Sequence, residues 1–313
     1  MKFITFGGTE KTYQAWNGVD IENQERTFNE LGMYFDKNGN TRFYDNQTDN
    51  YNQTHYQLHW TQELNSKLNL NTALHYTRGL GYYEDYKTAR KYKEYGLEPA
   101  IVDDITLKKT DLVRQKWLDN HFGGATFSLN WNANNLALTF GGAANKYYGD
   151  HYGKVLWVQY PNHAEVGHQY YFNQSSKTDA NVFGKMNYLI ANKLSVYADL
   201  QYRYILHEMN GKDDKYYDNK GVMRDITQTH AFHFFNPKAG LNYQLDRANS
   251  IFASFAIANR EPNRNNYTDA GPNESPTSER LYDSELGYRY FSGSFSIGAN
   301  LYYMKYINQL ILT

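Results

Sequence analysis

A chain of 313 residues with 32 Lys and Arg against 33 Asp and Glu has a formal net charge of −1, which excludes a polybasic nucleic-acid binder and a strongly acidic tail protein. It contains no Cys, so a disulfide framework, a thiolate metal site and a Cys nucleophile are excluded as well. Aromatic residues reach 17%, with 31 Tyr, too many for a disordered chain, and no apolar run approaches the roughly 18 residues of a membrane helix.

In chain order, the first eight residues lack the apolar core of a signal peptide, and residues 3–6 read as a partial strand. Asp36-Lys37-Asn38-Gly39-Asn40 has a calcium-loop flavour, but the spacing and the missing terminal Glu favour an Asn-Gly turn. From Tyr56 the chain alternates with a period of two. Tyr56, Leu58 and Trp60 share one face, while His55, Gln57, His59 and Thr61 share the other. A polar turn at Asn65-Ser66-Lys67 follows, and then Leu68, Leu70, Leu74 and Tyr76 oppose Asn69, Asn71, His75 and Thr77. This is the pattern of a hairpin.

Four more hairpins follow. Phe127, Leu129 and Trp131 lead through Asn132-Ala133-Asn134-Asn135 to Leu136, Leu138 and Phe140. Val182, Met186, Tyr188 and Ile190 lead through Ala191-Asn192-Lys193 to Leu194, Val196, Ala198 and Leu200. Ala239, Leu241 and Tyr243 lead through 246–250 to Ile251, Ala253, Phe255 and Ile257. Tyr282, Leu286, Tyr288 and Tyr290 lead through 291–294 to Phe295, Ile297, Ala299 and Leu301. Five hairpins make ten strands, and 3–6 and 307–312 are expected to add partial ones.

The connections inside hairpins are tight, whereas those at roughly 81–116, 143–180, 206–230 and 259–280 are long and rich in Tyr, Asp, Asn, Lys and Gly. Strict alternation of short and long connections along an antiparallel meander is the layout of a transmembrane β-barrel. A soluble sandwich has no reason to gather every long loop at one end. The polar face carries Lys185, Asn187, Asp199, Gln201, Arg203, Lys238 and Asn242. An Arg or Lys at the bilayer midplane costs about 2–4 kcal/mol, so this face is expected to line a wet lumen and the Leu, Val and Tyr face to meet lipid.

Several segments, taken together, resemble the barrel of TonB-dependent outer-membrane receptors of the Bacteroidetes type. They include Lys11-Thr12-Tyr13-Gln14-Ala15-Trp16-Asn17-Gly18-Val19, Tyr51-Asn52-Gln53-Thr54-His55-Tyr56 and Tyr148-Gly149-Asp150-His151-Tyr152-Gly153. His75-Tyr76-Thr77-Arg78-Gly79-Leu80-Gly81-Tyr82-Tyr83-Glu84, Phe235-Asn236-Pro237-Lys238-Ala239-Gly240-Leu241, Asn259-Arg260-Glu261-Pro262-Asn263-Arg264 and Ser284-Glu285-Leu286-Gly287-Tyr288 extend the likeness over nearly the whole chain. The resemblance implies an all-β, antiparallel transmembrane meander, here about ten to twelve strands of a larger plugged barrel of 22. Residues 1–313 then read as a partial receptor barrel domain without the plug and the C-terminal strands, ending on Leu310-Ile311-Leu312-Thr313 in mid-strand. Such a fragment is expected not to insert alone as a heat-modifiable barrel, because its edges would be unpaired.

The resemblance also implies a site in the outer membrane of a Gram-negative bacterium. It implies contact with outer-membrane lipid, a small-molecule ligand such as a ferric complex, and partnership with TonB-ExbB-ExbD through a plug outside this chain. Import of a ferric siderophore is the expected task. Cobalamin or an oligosaccharide are the alternatives within the family, and a passive porin or adhesin barrel is the alternative outside it. No nucleic-acid partner and no cofactor are implied.

Ligand contacts are expected in the long connections. Tyr147, Tyr148, His151, Tyr152 and Trp157 form one aromatic and polar cluster, and Tyr82, Tyr83, Tyr86, Tyr92 and Tyr95 form another. Such side chains stack on and hydrogen-bond to ligands, or they fold loops upon each other or form a girdle at the headgroups. Tyr83, Tyr147, Tyr148, His151, Tyr152 and Trp157 are the aromatic and His candidates. Arg260 and Arg264 are the cationic ones, able to attract an anionic complex or to pair locally with Glu261 or Glu274. The stretch Glu274-Ser275-Pro276-Thr277-Ser278-Glu279 departs from the Asn-Pro motif of haem receptors in this family.

His55 and His59 fall on one strand face but about 13 Å apart, too far to share a metal. His230 and His233 fall on opposite faces. No Gly-x-Ser-x-Gly, P-loop or His-Glu-x-x-His pattern occurs, so an enzyme is not expected. The acid pairs Asp103-Asp104 and Asp213-Asp214 read as solvated turns.

Overall fold

The computed structural model describes residues 1–13, 32–163, 166–216, 222–271 and 274–310. Residues 14–19 of the first family-like segment and the last three, 311–313, lie outside them. The chain runs β1 (Lys2–Tyr13), β2 (Met33–Phe35), β3 (Thr41–Phe43), β4 (Thr48–Asn65) and β5 (Leu68–Lys91). A 3-10 turn at Tyr92–Tyr95 leads to β6 (Ile101–Val102) and β7 (Ile105–Thr106), and then to β8 (Lys109–Ala133) and β9 (Leu136–Val158). Next come β10 (His168–Ala191), β11 (Leu194–Tyr216), β12 (Met223–Asp225), β13 (Gln228–Gln244) and β14 (Asn249–Arg260). A helix, α1 (Arg264–Asp269), precedes β15 (Glu279–Ser292) and β16 (Phe295–Ile307).

One 12-stranded antiparallel sheet holds the long strands in the order β1-β4-β5-β8-β9-β10-β11-β13-β14-β15-β16, with β12 attached to β11. The five hairpins are those expected from the alternation, and the partial strand at residues 3–6 is the middle of β1. At the other end β16 stops at Ile307, so no strand runs on from 308 to 310.

Turn chemistry explains the tight ends. The Lys67 N–H donates to Asn65 Oδ1 at 2.9 Å. Asn134 takes a left-handed φ of 46°, a conformation Asn tolerates. Asp246 Oδ1 accepts the N–H groups of Ala248 and Asn249 at 2.8 and 2.9 Å. In the hairpin of β2 and β3, Asp36 Oδ1 accepts from the N–H of Asn38 and of Asn40, both at 2.9 Å, with Gly39 at φ 80°. That is a side-chain-capped turn.

The register sorts the two faces. Leu138, Met186, Ala198, Ala239 and Phe255 sit in one row across five strands. One residue along, Thr139, Lys185, Asp199, Lys238 and Ala256 form the adjacent row, pointing the opposite way. The apolar face is exposed: Leu74, Phe140, Leu200, Phe235 and Leu286 are each more than half accessible. An unpartnered apolar surface of this extent is what lipid covers. Residues of the polar face on β4, β5, β8, β9, β10 and β11, together with α1, line one common cavity. That face is therefore the concave, inner one.

The strands continue well beyond a bilayer, which corrects the expectation of long loops. β8 has 25 residues, whereas a tilted membrane strand needs roughly 9–11. Ladder pairing runs up to Lys87 and Leu112, deep in the stretch expected as the loop 81–116. On the outer face, apolar residues persist from the tight turns to Tyr76, Gly123 and Ala144 and then give way to Arg78, His121 and Lys146. Above that row the outer face meets water, so apolar alternation is no longer required and the strands lose their sequence signature. The true connections are short, such as 92–108 and 261–278.

Packing concentrates at this upper end. Tyr92, Tyr95, Leu112, Val155, Tyr170 and Tyr171 form a buried cluster, and Met209, Ile226 and Tyr267 form a second.

Candidate functional site

Counting in twos from a tight turn carries the inner face upward. From Asn69 it reaches Tyr83, and from Ala137 it reaches Tyr147 and His151. These meet Tyr51 of β4, Lys116 of β8 and Tyr171 of β10 around a cavity of about 640 Å³, which α1 closes from the far side with Arg264, Thr268 and Asp269. Tyr147 lies just below, in a second hollow of about 410 Å³ shared with Tyr51, His75 and Asn120. It donates to Asn120 Oδ1 at 2.7 Å.

Of the sequence candidates, Tyr83, Tyr147, His151 and Arg264 thus face the lumen. Tyr148, Tyr152 and Trp157 face outward. Tyr148 bonds with Gln174, Tyr152 lies parallel to Trp117 with centroids 5.9 Å apart, and Trp157 packs on Tyr86 at 6.0 Å. Arg260 is exposed and pairs with Glu279 at 3.8 Å, instead of with Glu261 or Glu274. Tyr92 and Tyr95 are core residues that fasten the 92–108 connection to the strands.

Arg264 is positioned by the start of α1. Asn263 caps the helix, accepting from the Asn266 N–H at 3.0 Å while Asn266 returns a bond to the Asn263 N–H. Arg264 Nη2 donates to Asn173 Oδ1 at 3.0 Å, and its Nε is buried without a hydrogen-bond partner. At the other end of the helix, Arg224 donates to the carbonyls of Thr268, Tyr267 and Ala270, and Tyr267 stacks on His230 with centroids 4.0 Å apart. Below, Glu261 pairs with Lys177 and with Arg203, at 3.2 Å for the latter.

His151 shares this lack of partners, since its Nε2 is buried and unbonded. Burial, and then the Arg264 charge, push its pKa down to about 4, so the imidazole is neutral at pH 7. Tyr83 and Tyr171 are held neutral, their pKa values pushed far up by burial. The Lys116 ammonium lies over both rings, 5.7 and 5.8 Å from their centroids.

An ion-pair network braces the upper wall. Asp214 takes Lys116 and, at 3.6 Å, Arg114. Arg114 pairs with Asp85, which also holds Lys87 at 2.9 Å. Burial works against both charges of the central pair. Even so, Arg114 and Lys87 hold Asp85 below the usual carboxylate range, and Tyr170, Asp85 and Tyr95 raise Arg114 well above its ordinary value. Asp213 and Asp214 are therefore not the solvated turn expected from the sequence. They sit on β11, with Asp213 buried, because β11 extends far above the membrane. Asp103 and Asp104 do form a turn, both at positive φ.

Lys116, Tyr171 and Tyr51 were missed because they fall where the apolar alternation has ended. The parity count would have found Lys116 and Tyr51, since no register shift separates them from their tight turns, apart from one at Asn65. Among the described residues, no group of three or more His, Asp or Glu could hold a metal ion. His55 bonds to Thr77 at 2.9 Å and His59 to Gln57 at 3.1 Å.

Residues 4–313 match the family model described as TonB dependent receptor-like, beta-barrel. Comparison with curated proteins gives no match. Among solved structures, the chain is similar to the open form of the ferric-catecholate import receptor Fiu from E. coli K12, at 11% identity and a TM-score of 0.59 over 85% of this chain and 43% of that one. It is similar to the copper transporter OprC at 12% identity and a TM-score of 0.58, over 81% of this chain and 39% of that one. The ferric citrate transporter FecA gives 12% and 0.52, over 83% and 35%. The chain thus spans less than half the length of these structures. At such identities the likeness is one of fold.

Proposed function

The chain belongs to the TonB dependent receptor-like β-barrel family, and on that premise we propose that it forms part of an outer-membrane receptor that captures a scarce ligand and imports it actively. The ligand we assign is a ferric siderophore. The energy for import comes from TonB-ExbB-ExbD acting on a plug.

One observation carries this reading: the lumenal cavity above the membrane band, where Arg264 and His151 offer unbonded nitrogens beside Tyr51, Tyr83 and Tyr171. Cation, neutral imidazole and aromatic walls together suit an iron chelate with an oxygen-rich shell and an organic backbone. Asp85 and Asp214 are matched by Lys87, Arg114 and Lys116, which leaves Arg264 facing Asp49, Asp213 and Asp269 across the cavity. A wall of mixed sign favours a chelate of low net charge over a simple polyanion. Two of the structural neighbours are ferric-complex receptors, and one is a copper transporter, so the fold leaves iron as a reading of the site.

The test is growth of a strain lacking the intact receptor on iron-limited, corrinoid-limited and glycan-only media. A defect confined to iron limitation, reproduced by Arg264→Ala with the receptor still at the surface, is the expected result. A defect on corrinoid or glycan medium alone would transfer the proposal to those ligands. Conductance without dependence on TonB would replace import with a passive pore.

A further inference from the structure

The outer wall carries a feature that the lumenal site does not use. Tyr82, Trp117, Tyr152 and Phe172 lie in one straight row across β5, β8, β9 and β10, all on the lipid-side face. Successive ring centroids are 4.4, 5.9 and 6.5 Å apart, and the Lys154 ammonium lies 5.5 Å from the Trp117 ring and 5.3 Å from the Tyr152 ring. Phe172 is 39% exposed, and the other three are part-buried against one another.

Height decides what this row can meet. A membrane barrel places its aromatic girdle at the hydrocarbon edge, and here that is the level of Tyr76. Tyr82 is six residues higher on the same strand, about 20 Å along it and about 15 Å vertically at a tilt near 40°. The interfacial layer of a phospholipid bilayer is only about 5–7 Å deep on each side, so phospholipid headgroups end well below the row.

The two rows between are polar. Arg78 pairs with Asp119, Gln174 donates to Asp150 at 3.1 Å, and Lys146 donates to Ser176 at 3.2 Å. Donors and acceptors alternate there in near balance, an arrangement that suits hydroxyl groups better than phosphates.

We propose that this strip of outer wall binds the headgroup of a glycolipid in the outer leaflet, its sugar rings packing on Trp117 and Tyr152 and its acyl chains lying on the apolar band below. Continuity with the lipid-facing band selects a membrane-anchored occupant. The height selects a headgroup of several sugar rings. The proposal rests on the membrane placement of the barrel and is independent of which ligand the lumen takes.

The experiment places the intact receptor in nanodiscs of phosphatidylethanolamine and phosphatidylglycerol with added lipooligosaccharide, and counts retained lipids by native mass spectrometry. Wild type is expected to keep lipooligosaccharide in preference to phosphatidylglycerol. Trp117→Ala with Tyr152→Ala is expected to lose about tenfold of that preference, from the loss of two aromatic contact surfaces. Leu200→Ala, low in the apolar band, should keep it.

Heat modifiability on unheated gels reports folding of each variant. If the double alanine variant does not fold, Trp117→Leu and Lys154→Gln replace it in the same assay. Unchanged retention in a folded variant, or equal retention of phosphatidylglycerol by wild type, would overturn the proposal. So would binding of the delipidated oligosaccharide as tight as that of the lipid, which would make a soluble glycan the occupant.

Discussion

Arg114 holds Asp85 with two hydrogen bonds, Nε to Oδ1 at 2.8 Å and Nη2 to Oδ2 at 3.2 Å, inside a shell of tyrosines. The Asp85 side chain is 3% exposed and that of Arg114 is 13%. Arg114 Nη1 also reaches the hydroxyls of Tyr95 and Tyr170 at 3.4 and 3.5 Å, which ties the 92–108 connection to β5, β8 and β10. The pair organises the upper wall of the lumen and the mouth above it.

Breaking the pair on one side leaves a buried charge. Asp85→Asn should therefore cost about 3–5 kcal/mol in the stability of the upper wall, whereas replacing both partners with apolar residues should cost much less. Hydrogen exchange localises the effect. Faster exchange is expected at 92–107 and 168–171 in Asp85→Asn, with no change near the tight turns. Equal exchange in the single and double variants would contradict this account.

His151 gives a pH dependence whose sign is fixed. Its pKa in the folded protein is about 4, against an ordinary value of 6.5. Between those values the unfolded chain holds a proton that the folded one does not, so stability falls as pH drops from 6.5 towards 4 and is indifferent to this group above 6.5. Melting curves recorded from pH 7 to pH 4 should show the slope, and His151→Gln should reduce it. Protonation also sets a second cation beside Arg264, so ligand affinity should change over the same interval in wild type and less in the variant.

Gly79 tests the placement of Tyr51. A β-carbon at Gly79 would collide with the Tyr51 hydroxyl, the far end of a side chain that can move, whereas one at Gly81 would meet the carbonyl oxygen of Asn50. Gly79→Ala should therefore fold, displace Tyr51 within the cavity and weaken ligand binding. Gly81→Ala should lower stability as well. Titration of the ligand by tyrosine fluorescence, with melting curves as control, separates the two. Unaltered affinity in Gly79→Ala would remove Tyr51 from the site.

Within the bilayer the sequence could be read almost residue by residue, because lipid on one side and water on the other force the period of two. Leu138 and Thr139, or Leu200 and Gln201, declare their faces at once. Above the bilayer both faces are wet, and the same backbone ladder continues without that constraint. Tyr147 and Tyr148 look alike in sequence yet point to opposite sides of the wall. Composition grouped them, and only parity separates them. Arg264 and Tyr267 depend on how α1 folds back against β13, a long-range packing that no local pattern encodes.

Adjacent residues on β11 supply the sharpest test of which face meets lipid. Leu200 is 53% exposed in the middle of the apolar band, and Gln201 beside it faces the lumen, where it accepts from Asn236 Nδ2 at 3.0 Å. Near Gln201 on the same face, Arg203 is already neutralised by Asp179 at 2.6 Å and by Glu261. An added cation at 201 therefore enters water among carboxylates, while the same cation at 200 enters hydrocarbon. Leu200→Arg should cost about 2–4 kcal/mol and Gln201→Arg less than about 1 kcal/mol. Urea unfolding of the intact receptor in lipid vesicles measures both. A reversed order would mean that the apolar face is the interior one and that the wall does not sit in a membrane.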